Sequence, residues 1–238
     1  HLDHGGATTA LLEAYPAARV VCHDRARAHL VAPERLWEGS RAVLGAVADV
    51  YGAPAPVPEA ALATAAEAAS AGVTVIPTPG HAPHHLSFLH QGTLFVGEAA
   101  GTFLDLGQGR WYLRPATPPR FFLATALASL DRLLALAPPP ARLAFAHHGL
   151  LEGGVTALLR QARWQLEHWV ETVRAVRDEH PDLGFDALAD HVVARLLDID
   201  EHLARRPALP ADIQMREQDF TRQTLRGMVQ YVAEQDGR

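Results

Sequence analysis

The chain has 238 residues, 48% of them hydrophobic and 20% charged, with a formal net charge of −6. That balance belongs to an ordinary globular protein, long enough for a sizeable core and for one or two domains. It argues against a general binder of phosphate backbones, since no basic stripe accompanies the acidic total. Nor does any apolar run approach the roughly 20 residues of a membrane-spanning helix.

The chain opens on His1-Leu2-Asp3-His4-Gly5-Gly6, two imidazoles and a carboxylate within four positions, a cluster suited to divalent transition ions. Gly5 and Gly6 permit a sharp turn beside it. Residues 7–14 have helical composition and stop before Pro16. A short strand over 18–22 holds Cys22, the single cysteine, read as an inert core thiol. One cysteine excludes an intrachain disulfide and a thiolate metal cluster, and it fits a reducing, cytoplasmic setting. Helices are predicted over 24–30 and over 40–50, the second with Ser40 as its N-cap. The prolines of 52–58 make a stiff connector. The Ala-rich stretch 59–71 has helical propensity.

Residues 73–76 read as a strand entering the turn Pro77-Thr78-Pro79-Gly80, which leaves His81 on a loop. Segments 85–90 and 93–96 read as strands joined by Gln91-Gly92, a hairpin signal. Glu98 then falls at a strand end. Residues 111–119, rich in aromatics and proline, read as a rigid loop, and a helix is predicted from about 121 to 136, stopped by Pro138-Pro139-Pro140. A last strand over 142–146 leads into His147. Beyond Gly153-Gly154 the composition changes. Val155, Leu159, Ala162, Leu166, Trp169, Val173 and Val176 recur at helical spacing, and at least two further helices are expected within 186–197 and 215–232.

Four segments, in order, resemble the metallo-β-lactamase superfamily. His1-Leu2-Asp3-His4 looks like the second half of its His-x-His-x-Asp-His signature, and Thr78-Pro79-Gly80-His81 is similar to the Thr-Pro-Gly-His that carries the next ligand. The run Leu94 to Gly101 resembles the strand and loop that deliver a bridging carboxylate. Residues 143–149 resemble the strand that ends in the last ligand histidine. The resemblance covers roughly residues 1–150 and implies an α/β fold, an αββα metallo-β-lactamase-like sandwich with a C-terminal helical extension. The domains expected are a metal-binding core over 1–152 and the helical extension over 153–238. The first histidine of the signature would lie two positions before His1. The chain is therefore expected to start inside a longer sequence, to lack the first strands of its first sheet, and to bind metal poorly by itself.

Carried over residue by residue, the resemblance assigns His1 and His81 to one ion, and Asp3, His4 and His147 to a second. Glu98 takes the bridging position, where the family usually has aspartate; binding a single ion, or lying one layer out, are its alternatives. His147 is preferred over His148 because the family commonly places one residue between this histidine and the glycine. The implied cofactors are two divalent ions, zinc first, with iron or manganese as substitutes. The implied activity is a metal-dependent hydrolase that uses a metal-bound hydroxide on a small ester, thioester or lactone, with Asp3 as the catalytic carboxylate.

His84 and His85, read as consecutive strand residues, would point to opposite faces, and His85 is the candidate for a substrate or outer contact. Tyr112 and Arg114, with Trp111, are candidates to line a substrate pocket, the alternative being an aromatic loop packed as core cover. Two rival readings stand beside the hydrolase: a non-haem iron oxidoreductase resembling a persulfide dioxygenase, and a noncatalytic binding module. The partner expected is a small-molecule substrate, with no nucleic acid and no membrane, and with a homodimer contact through the helical extension as a further expectation.

Overall fold

The structure is a computed structural model that describes residues 2–236. The chain separates into two compact units, residues 1–75 and 76–238. The helical stretch after residue 153 therefore belongs to the same unit as residues 76–152.

The first unit carries α1 (Leu2–Gly5), α2 (Thr8–Ala14), β1 (Val20–Val21), α3 (Asp24–Val31), α4 (Glu34–Leu44), α5 (Ala46–Tyr51), β2 (Leu62–Ala63) and α6 (Ala65–Ser70). Strands β1 and β2 pair in parallel, Val20 beside Leu62 and Val21 beside Ala63. The helix expected over 40–50 is in fact two. Glu34 opens the first behind Pro33, and Ser40 lies inside it rather than capping it. Gly45, at φ 55° and ψ −130°, then breaks the chain before α5 starts, a conformation glycine adopts without the clash a side chain would add.

The Ala-rich stretch 59–71 divides as well, into a short 3₁₀ turn, β2 and α6. Tertiary pairing with β1 overrides helix propensity over its first half. The second half becomes helical where Thr64 and Glu67 form a reciprocal capping box. Cys22 is half-buried rather than enclosed, and burial raises its thiol pKa above the ordinary value.

The second unit opens inside β3 (Thr74–Pro77) and contains β4 (Leu86–His90), β5 (Thr93–Gly97), β6 (Thr102–Asp105), β7 (Trp111–Arg114), α7 (Leu123–Leu134), β8 (Arg142–Phe145) and β9 (Leu150–Glu152). Three helices follow, α8 (Val155–Glu179), α9 (Phe185–Ile199) and α10 (Ala211–Asp236). Five strands form one sheet in the order β3-β4-β5-β8-β9. Gln91 and Gly92, at φ 47° and 73°, make the tight turn of the β4–β5 hairpin, the geometry that matches strand twist. Strand β8 runs parallel to β5, Leu94 beside Leu143, with a bulge between Phe95 and Gly97.

Strands β6 and β7 form a separate antiparallel ribbon, Thr102 beside Arg114 and Asp105 beside Trp111. The rigid loop expected over 111–119 is thus a strand at its start. Its pairing partner, Thr102-Phe103-Leu104-Asp105, lies just across the five-residue turn Leu106-Gly107-Gln108-Gly109-Arg110, whose two glycines are a hairpin signal.

One continuous core joins sheet and helices. Leu94, Val96 and Leu143 from the sheet, Leu130 and Leu133 from α7, and Leu158, Leu159 and Trp169 from α8 all belong to it. Asp200, fully buried beyond α9, ties the helices together. Its Oδ2 accepts from Gln165 Nε2 at 2.8 Å and from Trp169 Nε1 at 2.9 Å. Its Oδ1 accepts from the backbone N–H groups of His202 and Leu203. Four donors satisfy a carboxylate that would otherwise be costly to bury.

Candidate metal centre

His81, Glu98 and His147 come together in the second unit from three loops, each following a strand of the five-stranded sheet. The first loop is held from behind by α7. Ser129 Oγ donates to the Pro79 carbonyl at 2.6 Å, Arg132 donates to the Pro77 carbonyl, and a Cβ added at Gly80 would lie 3.2 Å from the Ala126 Cα. Glycine at position 80 lets the turn lie directly against the helix, and His81 projects from it.

The His81 ring is oriented by its own second nitrogen. Nδ1 lies 2.9 Å from the Ala116 carbonyl, which can only accept, so Nδ1 carries the proton. Nε2 then faces Glu98 Oε2 at 2.9 Å. The other carboxylate oxygen, Oε1, lies 3.5 Å from His147 Nε2. One carboxylate therefore presents one oxygen to each of two imidazoles. With Nδ1 protonated, a neutral His81 would set a lone pair against a carboxylate oxygen, a contact that becomes favourable once a proton or a metal cation lies between them. Neutral imidazole and carboxylate are ordinary ligands of zinc and of iron, so the donor set fits a divalent ion.

Glu98 is in turn oriented through its backbone. His85 Nε2 accepts the Glu98 N–H at 3.2 Å, which leaves the His85 proton on Nδ1, where it is donated to Thr78 Oγ1 at 2.8 Å. Ser87 Oγ donates to the Val96 carbonyl, so the Thr78 hydroxyl donates to Ser87 at 2.9 Å. Thr78 and Ser87 are fully buried. This directed chain ties the loop after β3 to β4, β5 and the Glu98 backbone.

Gly97 makes the approach of His85 possible. It has φ 61°, and a Cβ there would lie 2.3 Å from His85 Nε2. His84 and His85 precede β4 instead of lying within it, so the strand alternation expected of them does not apply.

The third loop turns sharply after β8. Phe145 N–H donates to the Gly149 carbonyl at 3.0 Å, Ala146 N–H donates to the Gly97 carbonyl at 3.2 Å, and His148 has φ 58°. This turn aims His147 at Glu98 and leaves His148 exposed. Partial burial lowers the His148 pKa, with the Arg216 and His147 charges adding to it and Glu217 opposing.

Side-chain exposure is 12% at Glu98, 15% at His81 and 35% at His147. The group is therefore open at His147. Behind His81 and Glu98 is a cavity of about 20 Å³ lined in part by Thr117, Ser129 and Gln165, room for about one water molecule and none for an organic substrate.

Of the remaining sequence candidates, Tyr112 and Arg114 do not line an open pocket. They are 0% and 5% exposed, and burial drives the Tyr112 pKa far above its ordinary value. In the first unit, Asp3 and His4 lie on α1 with His4 Nε2 3.5 Å from Asp3 Oδ2, and Gly6 N–H closes the turn onto the Leu2 carbonyl at 2.8 Å. His1 is outside the described residues.

Sequence reasoning did not reach Thr78, Ser87 and the Ala116 carbonyl. The side chains could have been suspected from their nearness to His81 and His85. A backbone carbonyl leaves no such trace.

The sequence model of the Metallo-beta-lactamase superfamily matches residues 1–148. The chain belongs to that superfamily. Among its relatives, the metallo-beta-lactamase fold-containing protein ST1585 of Sulfurisphaera tokodaii is 31% identical over 160 residues, 63% of this chain and 58% of the relative. The crystal structure of ST1585 from Sulfolobus tokodaii aligns with a TM-score of 0.54 and 27% identity, covering 67% of this chain and 62% of that one. The chain thus spans about three fifths of these relatives' length. A structure of TTHA1623 in a di-iron-bound form is 30% identical with a TM-score of 0.38, covering 66% of this chain and 70% of that one.

Proposed function

We propose that this protein is a metal-dependent hydrolase acting on a small ester, thioester or lactone. The observation that carries the reading is the Glu98 carboxylate, with Oε2 at 2.9 Å from His81 Nε2 and Oε1 at 3.5 Å from His147 Nε2. The superfamily's motif order adds His1, Asp3 and His4 to this set. Zinc is the first choice of ion, since every donor is nitrogen or carboxylate oxygen, and a cytoplasmic setting belongs to the same reading.

Bound divalent ions would lower the pKa of a water toward about 7 and polarise the substrate carbonyl. The residues of the chain do the rest. The Ala116 carbonyl holds the proton on His81 Nδ1, which raises the basicity of Nε2 and fixes its direction. His85 secures the Glu98 backbone, so the carboxylate needs little reorganisation to hold an ion. The enclosed floor and the more exposed His147 admit substrate from one side. Asp3 is assigned by the motif to orient the attacking water and to return a proton to the leaving group.

The same nitrogen and oxygen donors also accept iron, which keeps an oxygen-dependent oxidoreductase as the second reading. The test is metal analysis of aerobically purified protein combined with hydrolysis of p-nitrophenyl acetate, an acyl thioester and a γ-lactone, with oxygen consumption followed in parallel. Hydrolysis lost on chelation and restored by zinc is the expected result. Oxygen uptake without hydrolysis, or no retained metal and no turnover, overturns the hydrolase.

A further inference from the structure

We propose that α10, through Glu217 and Thr224, is the positioning element for His81. The functional consequence rests on His81 being a metal ligand, as proposed above, while the positioning itself does not.

The argument runs through residues 114–117. Arg114 at the end of β7 is buried, and its Nε lies 2.5 Å from Oε2 of Glu217, which is 1% exposed. The Phe220 ring lies 5.1 Å from the same guanidinium. A buried ion pair of this kind adds little stability over an apolar replacement, but its geometry admits one register of strand end against helix. Two turns beyond Glu217, Thr224 grips the next residues twice. Its Oγ1 donates to the Pro115 carbonyl at 3.0 Å, and its own carbonyl accepts from Thr117 Oγ1 at 2.9 Å. Arg114 Nη1 donates to the same Pro115 carbonyl at 3.1 Å. At Gly227 the helix comes so close that an added Cβ would lie 2.2 Å from the Pro118 carbonyl.

Ala116 lies between these anchors, and Pro115 has a fixed φ. Its peptide plane is therefore held on both sides, and its carbonyl is the group 2.9 Å from His81 Nδ1. Rotation of that carbonyl would free the ring that faces Glu98. The helical region thereby acquires a role beyond covering the core: it sets the direction of one imidazole from more than 100 residues further along the chain.

Thr224→Val keeps the side-chain shape and removes the hydroxyl donor, Thr224→Ser restores it, and Thr117→Val releases the other side of the same grip. Leu225→Ala, at a fully buried apolar position on α10, lowers stability while leaving every hydrogen-bonding group of the grip on residues 114–117 in place. Two quantities are read on the full chain: the zinc dissociation constant, and the slowly exchanging His81 Nδ1–H resonance in proton NMR of metal-free protein. Thr224→Val and Thr117→Val should each weaken zinc binding about tenfold and lose the resonance. Thr224→Ser should recover both, and Leu225→Ala should keep both despite a lower melting temperature.

An unchanged resonance and zinc constant in both valine variants overturns the proposal, as does equal loss in Leu225→Ala. Should the unaltered chain bind no zinc, the metal reading fails, and the resonance alone still decides whether α10 positions His81.

Discussion

His85 and Glu98 are joined through the main chain: the imidazole Nε2 accepts the Glu98 N–H at 3.2 Å. The carboxylate that faces two histidines is thereby steadied by a third. His85→Ala removes this acceptor and leaves the buried Thr78 hydroxyl without its donor. We expect zinc affinity to fall 10- to 100-fold, the range for loss of a group that orients a ligand, with a stability loss of about 1–3 kcal/mol. Competition titration and urea unfolding measure the two. Unchanged zinc affinity would sink the assigned role.

Gly97 and Gly107 provide a matched pair. Both have positive φ, 61° and 75°, but a Cβ at 97 meets His85 Nε2 at 2.3 Å whereas one at 107 meets nothing. Gly107→Ala should cost only the left-handed backbone penalty, about 1–2 kcal/mol, and leave metal binding intact. Gly97→Ala should cost more than that and should also displace His85, weakening zinc binding. Equal effects of the two substitutions on zinc affinity would contradict the steric argument.

Asp200 holds four donors from α8 and the turn after α9, among them Trp169 Nε1 at 2.9 Å. Asp200→Ala leaves these buried donors without their acceptor. A loss of about 3 kcal/mol or more is expected, read as a shift in denaturation midpoint. Trp169 fluorescence should change in the same transition, since the indole loses its partner.

His202 carries a pH dependence. Its ring stacks on Trp111 with centroids 3.6 Å apart. Burial lowers its pKa, the Trp111 carbonyl opposes the shift, and the Arg205 guanidinium, 3.0 Å from Nδ1, adds to it. The folded state therefore binds a proton less readily than the unfolded chain. The stability from neutral His202 is complete above the unfolded value of about 6.5 and is lost as pH falls through the folded value. Unfolding free energy measured from pH 7.5 downward should decline more steeply in the unaltered protein than in His202→Gln. Parallel curves would refute the assignment.

Much of the local structure could be read from the chain. Gln91-Gly92 between two apolar runs specified a hairpin, and the three- and four-residue spacing from Val155 to Val176 specified α8, because turn chemistry and helical periodicity depend on near neighbours. The division of α4 from α5 at Gly45 was not legible, since an isolated glycine is compatible with a continuing helix at modest cost. The β6–β7 ribbon was missed for a different reason. Gly107 and Gly109, within the five residues between Asp105 and Trp111, are a hairpin signal, but the prolines at 115, 118 and 119 drew the whole segment into a loop assignment. For Tyr112 and Arg114 in the same segment the sequence left pocket wall and core cover both open, and both side chains are buried, Arg114 against Glu217 and Phe220 of α10.

What the sequence by itself determined was the kind and order of the chemistry-bearing groups, His81, Glu98 and His147 each following an apolar strand, because residue type and short-range pattern are written directly in the chain. What only the tertiary structure decided was their mutual direction: which oxygen of Glu98 faces which imidazole, which nitrogen of His81 and of His85 carries the proton, and that helix α10 holds the Ala116 carbonyl in place. Those choices rest on hydrogen bonds between backbone and side-chain groups distant in sequence, and such bonds are set by packing and leave no periodicity to read.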